Sequence, residues 1–350
     1  MRILYFTKYS RNAGSSRLRS YQYFPYLEAE GMEVEVSPLF SEAYLHQLYA
    51  GKSTKKEAVK GYLRRFLKIF SLGNYDRIIV EKEFFPYLPA WAERILNLLG
   101  VKYMVDYDDA VFHNYDLSSN SLIKSFLSEM IDKVLKYSSC VVAGNAYLAE
   151  RARNAGAKRI EIIPTVIDME RYPQKKYDNQ EEFVVGWIGT KSTFEKHLLP
   201  CRDWIKSLQE EYSDIHFLIV GISDDMNLGS NVKYIPWTEE TEVSEILKMD
   251  VGIMPLQDSP WEKGKCAYKL IQYAACGIPG VASDVGMNRE VSIPGETGLL
   301  AYSPEDWKKS ILNLKNNPEL RKDLGRNARK LVEEKYCIQV TAEKWIQILR

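Results

Sequence analysis

The sequence predicts an α/β protein built from two doubly wound parallel-sheet domains facing a cleft. Three observations carry this. Short apolar runs alternate with amphipathic stretches from end to end, the rhythm of βαβ units. The rhythm stops once, at residues 164–182, where PTVIDMERYPQKKYDNQEE is polar, holds two prolines and shows no period, and then it restarts. At 350 residues the chain is long enough for two cores.

In the first half, RILYF at 2–6 reads as a strand, followed by the polar loop 12–16. A helix is expected over 17–30, where Leu18, Tyr21, Phe24 and Leu27 recur about once per turn. Strands are expected at 77–80, 102–106, 140–143 and 161–163, with helices at 88–99, 121–136 and 146–155 between them. After the break come strand 183–188, helix 193–211, strands 216–220 and 232–235, helix 239–247 and strand 251–254. Helix 267–276, strands 280–282 and 298–301, and helices 304–314, 318–334 and 338–349 complete the chain. The expected domains are therefore 1–164 and 183–334, joined by a linker at 165–182, with 335–350 a terminal helix able to cross back to the first domain.

Lys+Arg and Asp+Glu both number 47, so no net charge draws the chain to nucleic acid. Five scattered cysteines without C-x-x-C spacing suit a reduced compartment and no structural zinc. The four histidines lie far apart in sequence, and no metal site is expected. No apolar run reaches the roughly 20 residues that span a bilayer. A cytoplasmic protein is expected. Residues 52–70, KSTKKEAVKGYLRRFLKIF, carry seven Lys or Arg among interleaved apolar positions. Read as a helix, this segment offers a peripheral contact to the inner face of a membrane, or else a solvated face.

Residues 264–283, GKCAYKLIQYAACGIPGVAS, are the most informative stretch. Lys265 and Lys269 flank an expected helix start, Gln272 follows, and Cys276-Gly277 supplies a glycine stop before a small apolar strand. A helix N-terminus beside cationic side chains suits phosphate. On the other half, Asp108 and Asp109 follow a strand directly, and His113 lies a few residues on.

The order of four phrases resembles the GT-B glycosyltransferases, particularly the retaining family 4 branch (glycosyl transferases group 1). IIPTVIDMERY is similar to that family's hinge, VGWIGT to the first strand and glycine turn of its donor domain, and KLIQYAACGIPGVAS to its nucleotide-sugar motif, followed by Gly286, Glu290 and Gly298-Leu299-Leu300. The resemblance implies two Rossmann-like domains and a hexosyltransferase dependent on a nucleoside-diphosphate sugar, retaining and metal-independent. It needs no cofactor beyond that co-substrate and passes the hexose to a saccharide or lipid-linked acceptor in polysaccharide or glycolipid synthesis. The implied donor-binding positions are Gly14, Gly189, Thr190, Lys191, Lys196, Gly264, Lys265, Lys269, Gln272 and Glu290, and the implied catalytic ones are Asp108, Asp109 and His113. The chain departs from the family pattern in four places. Gly264 and Gln272 stand where two glutamates are usual, Thr190 where an arginine is, and Asp108 at the place of a histidine. A sugar-nucleotide epimerase and a non-catalytic nucleotide-sugar-binding protein remain as alternatives. A dehydrogenase is disfavoured, because no G-x-G-x-x-G follows either first strand.

Overall fold

The computed structural model describes residues 1–176 and 182–350, so residues 177–181 of the expected linker lie outside the described residues. The chain forms two compact units. The first comprises Met1–Thr165, Gly264–Cys266 and Thr341–Arg350; the second comprises Val166–Lys263 and Ala267–Val340.

The first unit holds six parallel strands: β1 (Arg2–Phe6), β2 (Glu33–Val36), β3 (Arg77–Glu81), β4 (Met104–Tyr107), β5 (Cys140–Ala143) and β6 (Ile160–Ile162). Their order is β2-β1-β3-β4-β5-β6. The inner strands are buried on both faces, as parallel sheets covered by helices must be, which is why they read as continuous apolar runs. β2 has no such run. Its sequence EVEV lies half-exposed at the sheet edge, and the apolar-run reading passes over it. The helix expected at 17–30 is split into Gly14–Arg19, a short 3-10 turn and Phe24–Ala29. Pro25 has no N–H for an i→i−4 bond, so the chain restarts there instead of continuing. Helix 121–136 likewise divides into Ser121–Leu127 and Met130–Tyr137. The last residues of the chain pack in this unit, where Tyr23 Oη meets Thr341 Oγ1 at 2.9 Å and Arg77 Nε donates to the Leu349 carbonyl at 2.6 Å.

The second unit repeats the architecture with β7 (Phe183–Ile188), β8 (Ile215–Val220), β9 (Val232–Ile235), β10 (Val251–Met254), β11 (Gly280–Ser283) and β12 (Gly298–Ala301), ordered β12-β11-β10-β7-β8-β9. Val185, Trp187, Phe217, Ile219, Ile253 and Val281 form the sheet side of its core, and Phe194, Ile205, Leu208 and Ile311 the helix side. Each such side chain contributes about 1.5–3 kcal/mol by leaving water. The helix expected at 193–211 becomes Lys191–Thr193, a π turn at Phe194–Leu198, a 3-10 turn carrying Pro200, and Arg202–Glu211. The proline again sets the break.

Both sheets reverse strand order once. In the first, β1 is flanked by β2 and β3; in the second, β7 is flanked by β8 and β10. Ligands of open α/β sheets bind outside the carboxyl ends of the strands at such a switch point. The residues that follow β1, β3, β7 and β10 therefore stand where such a ligand would bind.

Candidate functional site

In the second unit the chain leaves β7 through Gly189 and Thr190. A Cβ on Gly189 would stand 2.6 Å from Trp187 Cη2 and 2.9 Å from Thr193 Oγ1, so only glycine lets the turn pass this close to the indole. Thr190 begins the following helical turns, its Oγ1 3.1 Å from that of Thr193. Lys191 is exposed, with Asp224 3.8 Å away. The π turn then presents Lys196 and His197 to Glu262, which follows β10 and is 1% exposed. Lys196 Nζ donates to Glu262 Oε1 at 2.5 Å, His197 Nε2 lies 3.4 Å from the same oxygen, and Ser259 Oγ donates to Oε2. Burial pushes this carboxyl up, but the bonds from Lys196 and Ser259 outweigh it and hold the group below the usual carboxylate range. Glu262 thus secures the ammonium that the sequence had assigned to a ligand phosphate.

Lys269 lies in the first turn of helix Tyr268–Ala275, its Nζ 5.3 Å from the Trp187 ring centroid. That aromatic face steers the half-buried ammonium to the carboxyl end of β7. The helix begins after Ala267, a non-glycine residue at φ 51°, which has no side-chain acceptor to cap it. Left-handed backbone costs an alanine about 1–2 kcal/mol. A strained, uncapped N-terminus beside a lysine is suited to an anion. Gln272 is buried one turn after the start of this helix, where its Nε2 donates to Tyr172 Oη at 3.2 Å, and Tyr172 Oη donates to Glu242 at 2.9 Å. Glu290 is exposed in the short helix Asn288–Val291.

The first unit gathers charge at the carboxyl ends of β1, β3 and β4. Asp106 is sealed against Arg19, with Nε to Oδ2 at 3.0 Å, a second bond from Nη2 to Oδ1, and Arg19 Nη1 donating to the Ile163 carbonyl at 2.8 Å. Beyond it, Asp108 Oδ1 lies 3.1 Å from Nζ of Lys82, a buried lysine at φ 71°. Glu81 Oε2 accepts from Ser16 Oγ at 2.7 Å and from the Lys8 amide at 3.1 Å. Tyr115 donates to Glu83 at 3.2 Å. These environments drive the paired carboxyls apart. Burial raises Asp108, yet Lys82 and Arg19 outweigh it and its acidity is strengthened. Burial and the Asp108 charge push Asp109 up to about 6, opposed by Lys82, Lys265 and Lys8. Burial also drives the Lys8 ammonium below its ordinary value, against the pull of Glu83. Two carboxyls so separated can serve as acid and as base.

Residues 264–266 complete this cluster. Asn145 Nδ2 donates to the carbonyls of Gly264 at 2.9 Å and Lys265 at 3.2 Å, and Cys266 Sγ donates to the Asp108 carbonyl at 3.0 Å. A Cβ on Gly264 would stand 2.5 Å from Ala110 Cβ and 2.9 Å from its nitrogen. Glycine is therefore a packing requirement here, and no side chain projects from the position. Lys265 acts on Asp109 within the first unit, whereas Lys269 belongs to the second. His113 has both ring nitrogens engaged, Nδ1 with Asp116 at 2.8 Å and Nε2 with Tyr147 Oη at 2.9 Å. Gly14 opens a six-residue helix with empty space where a Cβ would go, so no close approach requires it. Among the described residues no group of three or more His, Cys, Asp or Glu side chains is placed to hold a metal ion.

Sequence reasoning missed Lys8, Glu81, Lys82, Glu83, Trp187 and His197. The available signal was EKE placed directly after the buried strand IIV, since three charges at a strand end need a reason to be there.

A titration checks the carboxyl pair. Asp109 binds its proton more tightly folded than unfolded (ordinary aspartate about 3.9). Its contribution to stability is complete below that value and lost as pH rises through about 6. Asp109→Asn is therefore expected to melt above the parent at pH 8, the gap closing as pH falls through 6. A gap that does not change with pH would refute the assignment.

The family model described as glycosyl transferases group 1 matches residues 171–331, which contain the Gly189 turn, Lys196, Glu262 and Lys269. The similarity to that family is confined to this region, less than half of the chain. An uncharacterized glycosyltransferase of Methanocaldococcus jannaschii is 27% identical over 205 residues, 54% of this chain and 50% of the relative, so the match spans half of that protein's length. Sucrose-phosphate synthase of Thermosynechococcus elongatus superposes with a TM-score of 0.73 at 15% identity, over 99% of this chain and 98% of its own. HepE of Anabaena, solved in complex with UDP, superposes with a TM-score of 0.70 at 15% identity, over 100% and 99%. The fold is the α/β, two-sheet GT-B fold of these proteins. The matched residues cover the second sheet, with the Lys269 helix start inside them.

Proposed function

We propose that the protein is a glycosyltransferase that moves a hexose from a nucleoside-diphosphate sugar to a hydroxyl of a saccharide or lipid-linked acceptor. The observation that carries this is the Lys269 ammonium over Trp187, beside an uncapped helix N-terminus at the β7 switch point of a glycosyl transferases group 1 region. As the glycosidic bond breaks, negative charge develops on the β-phosphate. Lys269 and the first-turn amides of Tyr268–Ala275 stabilise it without reorganising. The first unit takes the acceptor. There Asp108, Asp109, Glu81 and Glu83 offer carboxylate oxygens to sugar hydroxyls, and the protonated share of Asp109 near pH 6 lets the pair exchange a proton. Retention of configuration and metal independence enter this reading from the resemblance alone. The UDP complex of HepE supports UDP as the first nucleotide to try.

A thermal-shift panel of UDP-, GDP-, ADP- and CDP-sugars, followed by donor consumption with and without saccharide acceptors, tests the reading. A ligand that binds only the folded state at a hundred times its Kd adds about 2.7 kcal/mol, so one nucleotide is expected to raise Tm selectively. Isomerisation of the donor without acceptor would show an epimerase instead, and binding without turnover a non-catalytic protein. Asp108→Asn, which loosens Lys82, is expected to lower kcat with the donor KM unchanged. Parental kinetics in that variant would remove Asp108 from the reaction.

A further inference from the structure

The helix Lys55–Ile69 is held to the first unit by one face only. A Cβ on Gly61 would lie 2.0 Å from the Leu39 carbonyl oxygen, so backbone meets backbone there. Tyr62 Oη donates to the Pro86 carbonyl at 2.6 Å. Arg65, 1% exposed, donates to the carbonyls of Phe84 at 3.2 Å and Ser37 at 3.1 Å. These anchors fix the helix rotation and leave the opposite face outward. Val59, Leu63, Phe66 and Phe70 fall there at steps of four, three and four, a single stripe. They are 69%, 58%, 41% and 76% exposed, and Leu67 beside them 59%. Phe66 packs edge-on against Phe70 at 5.4 Å and reaches Trp91 at 6.2 Å. One and two turns past Trp91 on helix Trp91–Leu98, Ile95 and Leu98 extend the apolar surface outward.

Apolar exposure of this extent marks an interaction surface, and the charges around it identify the occupant. At 100° per residue, Lys55 and Lys56 fall on either side of the stripe and Lys60 at its edge, all exposed, with exposed Lys52 just before the helix. The one acidic residue on the helix, Glu57, is paired with Lys60 at 2.7 Å. A second copy meeting this face through a two-fold axis would set lysines against lysines. An anionic lipid surface satisfies both parts, with the acyl boundary taking Leu63, Phe66 and Phe70 and the headgroups taking the ammonium groups. We propose that Lys52–Phe70 together with Ile95 and Leu98 is a docking surface for a membrane bearing anionic lipids. It stands independently of the donor reading.

Co-sedimentation of the full chain with phosphatidylcholine vesicles, with and without phosphatidylglycerol, tests this. Binding is expected on the anionic vesicles and at least about tenfold weaker on the neutral ones, and weaker again as salt rises. The triple variant Leu63→Ser, Phe66→Ser, Phe70→Ser and the double variant Lys55→Glu, Lys56→Glu are each expected to lose at least about tenfold. Their circular-dichroism melts are expected to match the parent, because the changed side chains are exposed. Equal binding to both vesicle types, no binding to either, or variants that bind as the parent would overturn the proposal. So would light scattering that shows a stable dimer dissociated by the triple variant.

Discussion

Replacing Lys269 with alanine is expected to lower turnover of a nucleotide sugar by about a hundredfold to a thousandfold, the range for removing one preorganised stabiliser of developing charge. The reason is position. Lys269 is the lysine in the first turn of Tyr268–Ala275, the helix whose N-terminus carries no side-chain cap. Its contact with Trp187, 5.3 Å to the ring centroid, fixes where the charge points. Folding is expected to change little, since a half-exposed cation over an aromatic ring contributes about 0.5–1 kcal/mol. Lys269→Arg keeps the charge but replaces a compact ammonium by a planar fork, so partial activity is expected. Lys196→Ala is the contrasting variant. Its loss leaves Glu262 buried with Ser259 and His197 facing it but without its ammonium partner, so stability falls together with activity. Parental turnover in Lys269→Ala, at parental stability, would remove the proposed role.

The second large effect is structural. Asp106 and Arg19 are 2% and 1% exposed and joined by two parallel bonds. Asp106→Ala leaves the guanidinium buried with the Ile163 carbonyl as its remaining hydrogen-bond acceptor. A loss of about 3–5 kcal/mol is expected for breaking such a pair from one side, a large part of the roughly 5–15 kcal/mol that holds a domain folded. Urea unfolding followed by circular dichroism measures it. Removing both charges, as in Arg19→Met with Asp106→Leu, is expected to recover most of the loss, because burying the charges costs about what their attraction returns. A loss below about 1 kcal/mol for Asp106→Ala would mean that water reaches the pair.

These two predictions also mark what the sequence could and could not disclose. The inner strands were legible because a parallel sheet buries both faces, and RILYF, CVVA and VGIM have no other reading. β2 was not, because EVEV alternates at a half-exposed edge and carries no continuous run. Long helices were legible as periodic stretches, but Pro25 and Pro200 cut two of them into pieces at bonds the ring cannot make. The helix that follows residues 264–267 was visible as a motif, and Lys269 lies where helical spacing put it. The pairing of Lys196 with Glu262 was not visible, since 66 residues separate them and only the adjacency of β7 and β10 brings them together. Asp108 and Asp109 could be named from their place after a strand. What tunes them could not, because Lys82, Arg19 and Lys265 come from three other segments. Gly264 shows the opposite case: the substitution seemed a functional gap, and the Ala110 backbone supplies a steric cause.

The proposed transfer requires phosphate recognition at the carboxyl end of β7, beside Lys269. Isothermal titration of UDP, with GDP, ADP and CDP in parallel, into the parent and into Lys269→Ala measures this directly. One nucleoside diphosphate is expected to bind the parent at a single site and to bind Lys269→Ala at least about tenfold more weakly, the loss of one charge-assisted contact. Equal affinity in the two proteins, or no binding of any of the four to the parent, would contradict it.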